Sequence, residues 1–151
     1  MDTKKTSPLT WLIICSVIYI IFSLIASALA ISENRPAEFG GTSTGLSVVQ
    51  DFFYGQGTAM APPLYWLVIQ AIFTILAPRR NGWGIFGVAG LTVFGLLSGI
   101  GALGEPIIKE IFNLTTFNIF KAFLQAGMII LPFLFMVLSI IELLRRRKSK
   151  K

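Results

Sequence analysis

The stretch GWGIFGVAGLTVFGLLSGIGALG, residues 82–104, decides the fold, because it is 23 residues long and carries no charged side chain. About 20 apolar residues in a helix cross the roughly 30 Å hydrocarbon core of a bilayer. The glycines are typical of a membrane helix, since small residues let helix backbones approach closely in lipid. We therefore predict a membrane span over about residues 83–104 that packs against other helices through Gly87, Gly95 and Gly99. A flexible, gating helix is the alternative interpretation of the same glycines.

Three other stretches have the length and apolar character of a membrane span, over about residues 9–31, 59–77 and 120–144. The composition agrees with this assignment. The chain is 54% hydrophobic and 13% charged, with a mean hydropathy of +0.76, whereas soluble domains usually contain about a quarter charged residues. We predict an all-α integral membrane protein with four transmembrane helices, forming a single domain over residues 1–151.

The distribution of basic residues predicts the orientation of these spans, because cytoplasmic loops retain Lys and Arg. With four spans, ten of the 13 basic residues fall on one side of the membrane. They lie in the N-terminal segment, in the turn near Arg79 and in the tail 145–151. The other side holds Arg35, Lys109 and Lys121. Both termini are therefore predicted to be cytoplasmic, and the protein to lie in the plasma (cytoplasmic) membrane.

The first span has a second interpretation as a signal peptide, because it ends in Ala28-Leu29-Ala30, which matches a small-residue cleavage site. Cleavage there would leave three spans. The apolar run is about 23 residues, longer than the roughly 7–15 residues of a signal peptide. The length favours an uncleaved membrane anchor.

Two short interfacial helices are predicted in the outer loops, residues 32–58 and 105–119. In the first loop, Val48, Val49, Phe52 and Phe53 flank a polar pair, so that on a helix the four apolar residues share one face. Residues 107–112 of the second loop repeat this pattern. Such helices lie in the membrane interface with the apolar face down.

Four polar residues form the candidate ion or ligand site: Glu105, Lys121, Gln125 and Gln70. Glu105 ends the third span and precedes Pro106, so it either marks the helix end or handles a proton or ligand. Lys121 is its predicted ion-pair partner, and Lys109 is the second candidate. The two glutamines lie within spans, where amides either bond helices together or contact a substrate.

The C-terminal tail RRRKSKK begins directly after the fourth span. Its first four residues, Arg145, Arg146, Arg147 and Lys148, are predicted to bind anionic lipid headgroups at the cytoplasmic face. The net charge of +6 is concentrated in such flanking segments rather than along a polar face, so no nucleic-acid binding is expected.

The chain has no histidine and one cysteine, so it lacks the parts for Cys or His metal sites and for Ser-His or Cys-His catalysis. We predict no catalytic residues, no metal and no cofactor. The favoured function is an accessory or scaffold subunit that associates with a membrane protein partner, or with its own copies, through the glycine-rich third span. The alternative is a small carrier or channel that uses Glu105 and its polar neighbours.

Overall fold

A computed structural model describes residues 7–37, 44–104 and 117–148, and all of its regular structure there is helical. The helices are listed here in chain order: α1 (Pro8–Ser32), α2 (Val48–Tyr54), α3 (Leu64–Leu76), α4 (Gly82–Gly104) and α5 (Ile119–Lys148). Glu105 and the second predicted interfacial helix lie outside the described residues.

Three of these helices, α1, α4 and α5, are long and apolar enough to cross a membrane, as predicted. Helix α3 differs from the prediction. It has 13 residues, which corresponds to about 20 Å, and it begins at Leu64 rather than near residue 59. The reason is Pro62-Pro63: proline has no N–H to donate and holds the residue before it in an extended conformation.

The four longest helices form a ring in which α1 packs on α3 and α5, and α4 also packs on α3 and α5. Neighbours in the ring are antiparallel. Ser7, Pro78 and Arg145 consequently line one pocket at one end of the bundle, which we call the terminal end. The opposite end, which carries residues 33–63 and the start of α5, is called the loop end.

The bundle buries polar side chains together with apolar ones and exposes large apolar side chains on its outer surface, unlike a soluble protein. Buried polar residues in the four helices include Ser16, Ser23, Gln70, Gln125 and Ser139. Large apolar residues with about half of their surface exposed occur on every one of these helices, among them Ile21, Ile72, Val93 and Val137. This arrangement is that of a protein surrounded by lipid.

The glycines of α4 are in contact with neighbouring helices of the same chain. A Cβ atom added to Gly87 would lie 2.7 Å from the backbone nitrogen of Ala77, and one added to Gly95 would lie 2.6 Å from the carbonyl oxygen of Pro132. At Gly99 the nearest atom, in the ring of Phe133, would be 2.7 Å away. This glycine face of α4 is therefore occupied by α3 and α5 and leaves no room for a partner.

Helix α2 lies in the first outer loop, where a short helix was predicted, and packs on α1 and α3. Ser47 and Gln50 form a capping box at its start, which satisfies backbone N–H groups that would otherwise lack partners. The predicted four-residue apolar face divides in two. Val48 and Phe52 are buried, whereas Val49 and Phe53 are about half exposed.

Candidate functional site

A cavity of about 320 Å³ lies near the loop end, between α4 and the non-helical segment 56–63 that precedes α3. We call this segment the loop wall. The side chains that line the remaining sides of the cavity include Tyr19, Trp66, Leu97, Ser98 and Gln125. Among the described residues, none that lines it is charged.

The loop wall is largely buried, apart from the exposed Gln56, and satisfies much of its own hydrogen bonding. The Thr58 backbone N–H donates to the Ala61 carbonyl at 2.9 Å, and the Thr58 hydroxyl donates to the same oxygen at 3.4 Å. Gly57 has φ +105°, and a Cβ there would lie 2.5 Å from the Ala61 oxygen. Only glycine therefore fits this turn without strain. Together with Pro62-Pro63, this turn prevents the loop wall from adopting a helical conformation.

Polar and aromatic groups connect the opposite sides of the cavity. The Trp66 Nε1–H donates to the Ser98 hydroxyl at 3.0 Å and so joins α3 to α4. The Trp66 ring also stacks on Phe94, with the ring centres 4.2 Å apart. Tyr19 of α1 is almost completely buried, and its ring meets Phe135 edge to face at 5.7 Å. These contacts link α1, α3, α4 and α5 around the cavity.

Gln125 is the predicted site residue that the structure places at the cavity. Its Nε2 donates to the Ala102 carbonyl of α4 at 3.3 Å. Its Oε1 is buried and has no hydrogen-bond partner among the described residues. Because the Ala102 carbonyl can only accept, it fixes which end of the amide is the nitrogen. The oxygen is left as an unused acceptor.

Gln70 is placed in a different part of the bundle and does not line the cavity. Its Nε2 donates to the Ser16 hydroxyl at 3.0 Å, and that hydroxyl lies 2.7 Å from the Thr74 hydroxyl. These three side chains join α1 to α3. Of the two interpretations of this glutamine, bonding between helices describes its contacts.

Lys121 is likewise separate from the cavity, and its ammonium group lies 2.6 Å from a carboxylate oxygen of Glu33. The same oxygen is 3.0 Å from Arg35 Nε. The ion pair joins the end of α1 to the start of α5. Glu105 lies outside the described residues, so its contact with Lys121 stays a prediction.

Sequence reasoning missed Glu142, whose side chain is fully buried at the terminal end. Its carboxylate accepts from Arg145 Nε at 2.7 Å and from Arg146 Nε at 2.7 Å. Arg146 also donates to the Ala77 and Arg79 carbonyls, at 2.7 and 3.2 Å. The available signal was a glutamate placed three and four residues before two arginines on one helix.

Asp51 of α2 was also missed as a buried residue. Its carboxylate accepts from the Thr44 hydroxyl at 2.7 Å and from the Gln56 backbone N–H at 3.3 Å. Gly55 allows this arrangement, since a Cβ at that position would collide with the Asp51 carboxylate. Asp51 thus ties the end of α2 to the start of the loop wall.

No protein-family model, curated protein or solved structure matches the chain.

Proposed function

We propose that the protein is a multi-pass protein of the plasma (cytoplasmic) membrane with four crossings and with both termini in the cytoplasm. The antiparallel ring supports this arrangement, because the ends of α1 and α5 meet at the terminal end. The basic residues near that end follow the rule for cytoplasmic segments. In the second crossing, the buried loop wall continues the short helix α3.

Single-cysteine labelling tests this topology, because Cys15 is the chain's one cysteine and is buried. In a Cys15→Ser background, Asn81→Cys marks the terminal end and Ser47→Cys marks the loop end. A membrane-impermeant maleimide added to intact cells should label the Ser47→Cys variant, and the Asn81→Cys variant only after permeabilisation. Labelling of both variants in intact cells would contradict the proposal.

Within the membrane, we propose an accessory or scaffold role rather than catalysis. The observation that carries this proposal is the filled middle of the bundle, where Leu12, Val88, Leu91 and Phe135 are all completely buried. A bundle packed in this way acts through its outer surface. The structure changes one part of the prediction, because the Gly95 and Gly99 face is occupied within the chain. A membrane protein partner, or a second copy, would have to contact the opposite, apolar face of α4.

Photo-cross-linking from single positions in native membranes tests this role. A photoreactive residue at Val93 reports on the exposed face of α4, and one at Ile21 or Val137 reports on α1 or α5. The accessory role predicts one discrete protein adduct from Val93, with lipid adducts from the other positions. Native mass spectrometry of the gently released protein would then identify the partner and its stoichiometry. Lipid adducts alone from every position would overturn the proposal.

A small carrier or channel is the second candidate, and the buried, unpartnered Gln125 Oε1 beside a cavity is the observation that favours it. Proton flux into vesicles that contain the purified protein tests this candidate. A carrier that uses these groups should lose flux in both the Glu105→Gln and the Gln125→Leu variants. Flux that is equal to that of protein-free vesicles would eliminate the candidate.

We also propose that anionic lipid binds at the terminal end. Arg145 and Arg146 are bonded to Glu142, which leaves the exposed Arg147 and Lys148 as the main headgroup contacts. Each basic residue near an anionic surface contributes about 1 kcal/mol. The Arg147→Gln, Lys148→Gln double variant should retain less phosphatidylglycerol in native mass spectra. Unchanged retention would contradict the assignment.

A further inference from the structure

We propose that the cavity beside the loop wall binds an uncharged amphiphile from the surrounding lipid, with an apolar body and a hydroxyl or N–H group that donates to Gln125. This site is independent of any partner on the surface of α4. The cavity volume of about 320 Å³ lies at the lower end of the range for small-molecule sites, roughly 300–1,000 Å³. The ligand is therefore a small molecule, or one end of a longer lipid.

The cavity lies at the outer surface of the bundle and opens toward the surrounding lipid. Leu97 and Tyr65 line it and are each 47% exposed on the outer surface of the bundle. Leu97 lies seven residues before Gly104 at the end of α4, which places it about 10 Å along the helix axis from that end. An amphiphile in the adjacent leaflet can enter sideways at this depth.

The loop wall itself points to a binding site. Non-helical backbone at membrane depth is tolerated where it is buried in protein or lines a cavity, because lipid cannot satisfy its hydrogen bonds. Thr58, Met60 and Ala61 of the wall are buried, and the Thr58–Ala61 turn satisfies its own polar groups. A continuous helix would have been the simpler way to cross. The wall instead leaves room beside α4, where a Cβ on Gly101 would meet no atom of the described residues within 4 Å.

The chemistry of the walls selects the ligand. The described residues of the lining carry no charge, so a carboxylate or an ammonium group would lose its hydration without gaining a counter-charge from them. Leu97, Met128 and Trp66 provide apolar and aromatic surface. The Gln125 Oε1 has no donor among the described residues and almost no accessible surface, so a ligand reaches it when the amide turns toward the cavity. A hydroxyl or an N–H is the group that this atom lacks.

Quenching of Trp66 fluorescence by bromine tests the site with defined probes. A Trp11→Phe, Trp83→Phe background leaves Trp66 as the one remaining tryptophan of the three in the chain. The probes are a long-chain primary alcohol with a terminal bromine, the bromoalkane of equal length and the corresponding bromocarboxylate. We expect saturable quenching by the alcohol, binding roughly three- to tenfold weaker for the alkane, and no saturation with the ionised carboxylate.

Two cavity-filling variants, Gly101→Leu and Ala102→Leu, should abolish the saturable quenching. Gly82→Leu is the matched control, because Gly82 also has open space around it but lies at the far end of α4. It should leave the quenching unchanged. Gln125→Leu should lower the alcohol-to-alkane affinity ratio to about one, which a merely structural role for Gln125 would not do.

Quenching that rises linearly for all three probes would show partition into detergent or lipid only and would overturn the proposal. Saturable quenching that survives in both folded cavity-filling variants would overturn it as well. If those two variants fail to fold, the relative affinities of the alcohol, the alkane and the carboxylate for the parent protein still test the proposal.

Discussion

The two ends of the bundle use their buried polar groups in opposite ways. At the terminal end, the Glu142 carboxylate accepts hydrogen bonds from both Arg145 and Arg146, and Arg146 continues to the carbonyls of the α3–α4 turn. Near the loop end, Gln125 uses its nitrogen and leaves its buried oxygen without a partner. The buried polar groups at the terminal end therefore bond structural elements to one another. Near the loop end, the Gln125 oxygen can still accept a hydrogen bond.

The largest expected effect is that of Glu142→Leu, which removes the carboxylate bonded to Arg145 and Arg146. Arg146, whose side chain is 16% exposed, would keep its charge without the carboxylate, and loss of one partner of a buried pair costs about 3–5 kcal/mol. Thermal unfolding in detergent measures the loss. Arg147→Leu, which removes an exposed charge one residue farther along the helix, is the control and should change little. Similar losses of thermal stability in the two variants would mean that Glu142 does not stabilise the terminal end.

Alanine at the glycines of α4 compares the tight and the open parts of that helix. Gly87→Ala places a Cβ against the backbone of Ala77 and Phe73, and overpacking of this kind costs about 1–3 kcal/mol. Gly101→Ala meets no atom of the described part of the chain within 4 Å and should instead stabilise the helix, by up to about 1 kcal/mol. Denaturant titrations of both variants provide the test. Opposite signs are expected, and equal destabilisation would contradict the open cavity beside Gly101.

Replacing the two intramembrane glutamines compares the α1–α3 and α4–α5 interfaces. Gln70→Leu removes the amide that bonds to Ser16, and polar contacts of this kind between membrane helices contribute about 0.6 to 1.7 kcal/mol. Each variant also removes a buried acceptor without a partner among the described residues. Gln125→Leu loses only one longer bond, so its effect on stability should be smaller. Unfolding in detergent ranks the two variants. A larger loss for Gln125→Leu would reverse the assignment of their roles.

The smallest effect is expected for Glu33→Gln at the loop end. The Glu33 and Lys121 side chains are 30% and 19% exposed, and partly exposed ion pairs contribute about 0–1 kcal/mol. The difference from the parent protein should shrink further at about 1 M salt, where the screening length is roughly 3 Å. Unfolding measured at low and high salt tests this prediction. A loss of stability as large as that of Glu142→Leu, and unaffected by salt, would show that an ion pair stabilises the loop end to the same degree.

The sequence predicted the long helices well, because length and hydropathy report directly on membrane crossing. The observed bounds of α4, Gly82–Gly104, agree with the predicted span. The predicted start of the second span was early, because residues 59–63 are apolar enough to be included while Pro62-Pro63 prevents a helix. Helix α5 also extends to Lys148, beyond the predicted span end near residue 144, with Arg145 and Arg146 bonded back to Glu142.

The candidate site was predicted only in part. Intramembrane amides are recognisable from sequence, and Gln125 does line the cavity. The cavity itself depends on how the loop wall folds against Tyr19 and Trp66, which lie far apart along the chain. Glu142 and Asp51 were missed because carboxylates are usually exposed, whereas both are buried here and accept hydrogen bonds from nearby residues.

The unequal lengths of α3 and α4 have a consequence for the membrane around the protein. At 13 and 23 residues, they present about 20 and 35 Å of helix, so the hydrophobic height of the bundle changes from one flank to the next. A bilayer adapts to a short flank by thinning locally, at a cost of fractions of a kcal/mol per Å. We expect melting temperatures in vesicles to be highest with acyl chains shorter than those that suit α4 alone. The protein would then attract short or disordered acyl chains to the α3 flank. The lipids in contact with α3 would therefore differ from those in contact with the longer helices.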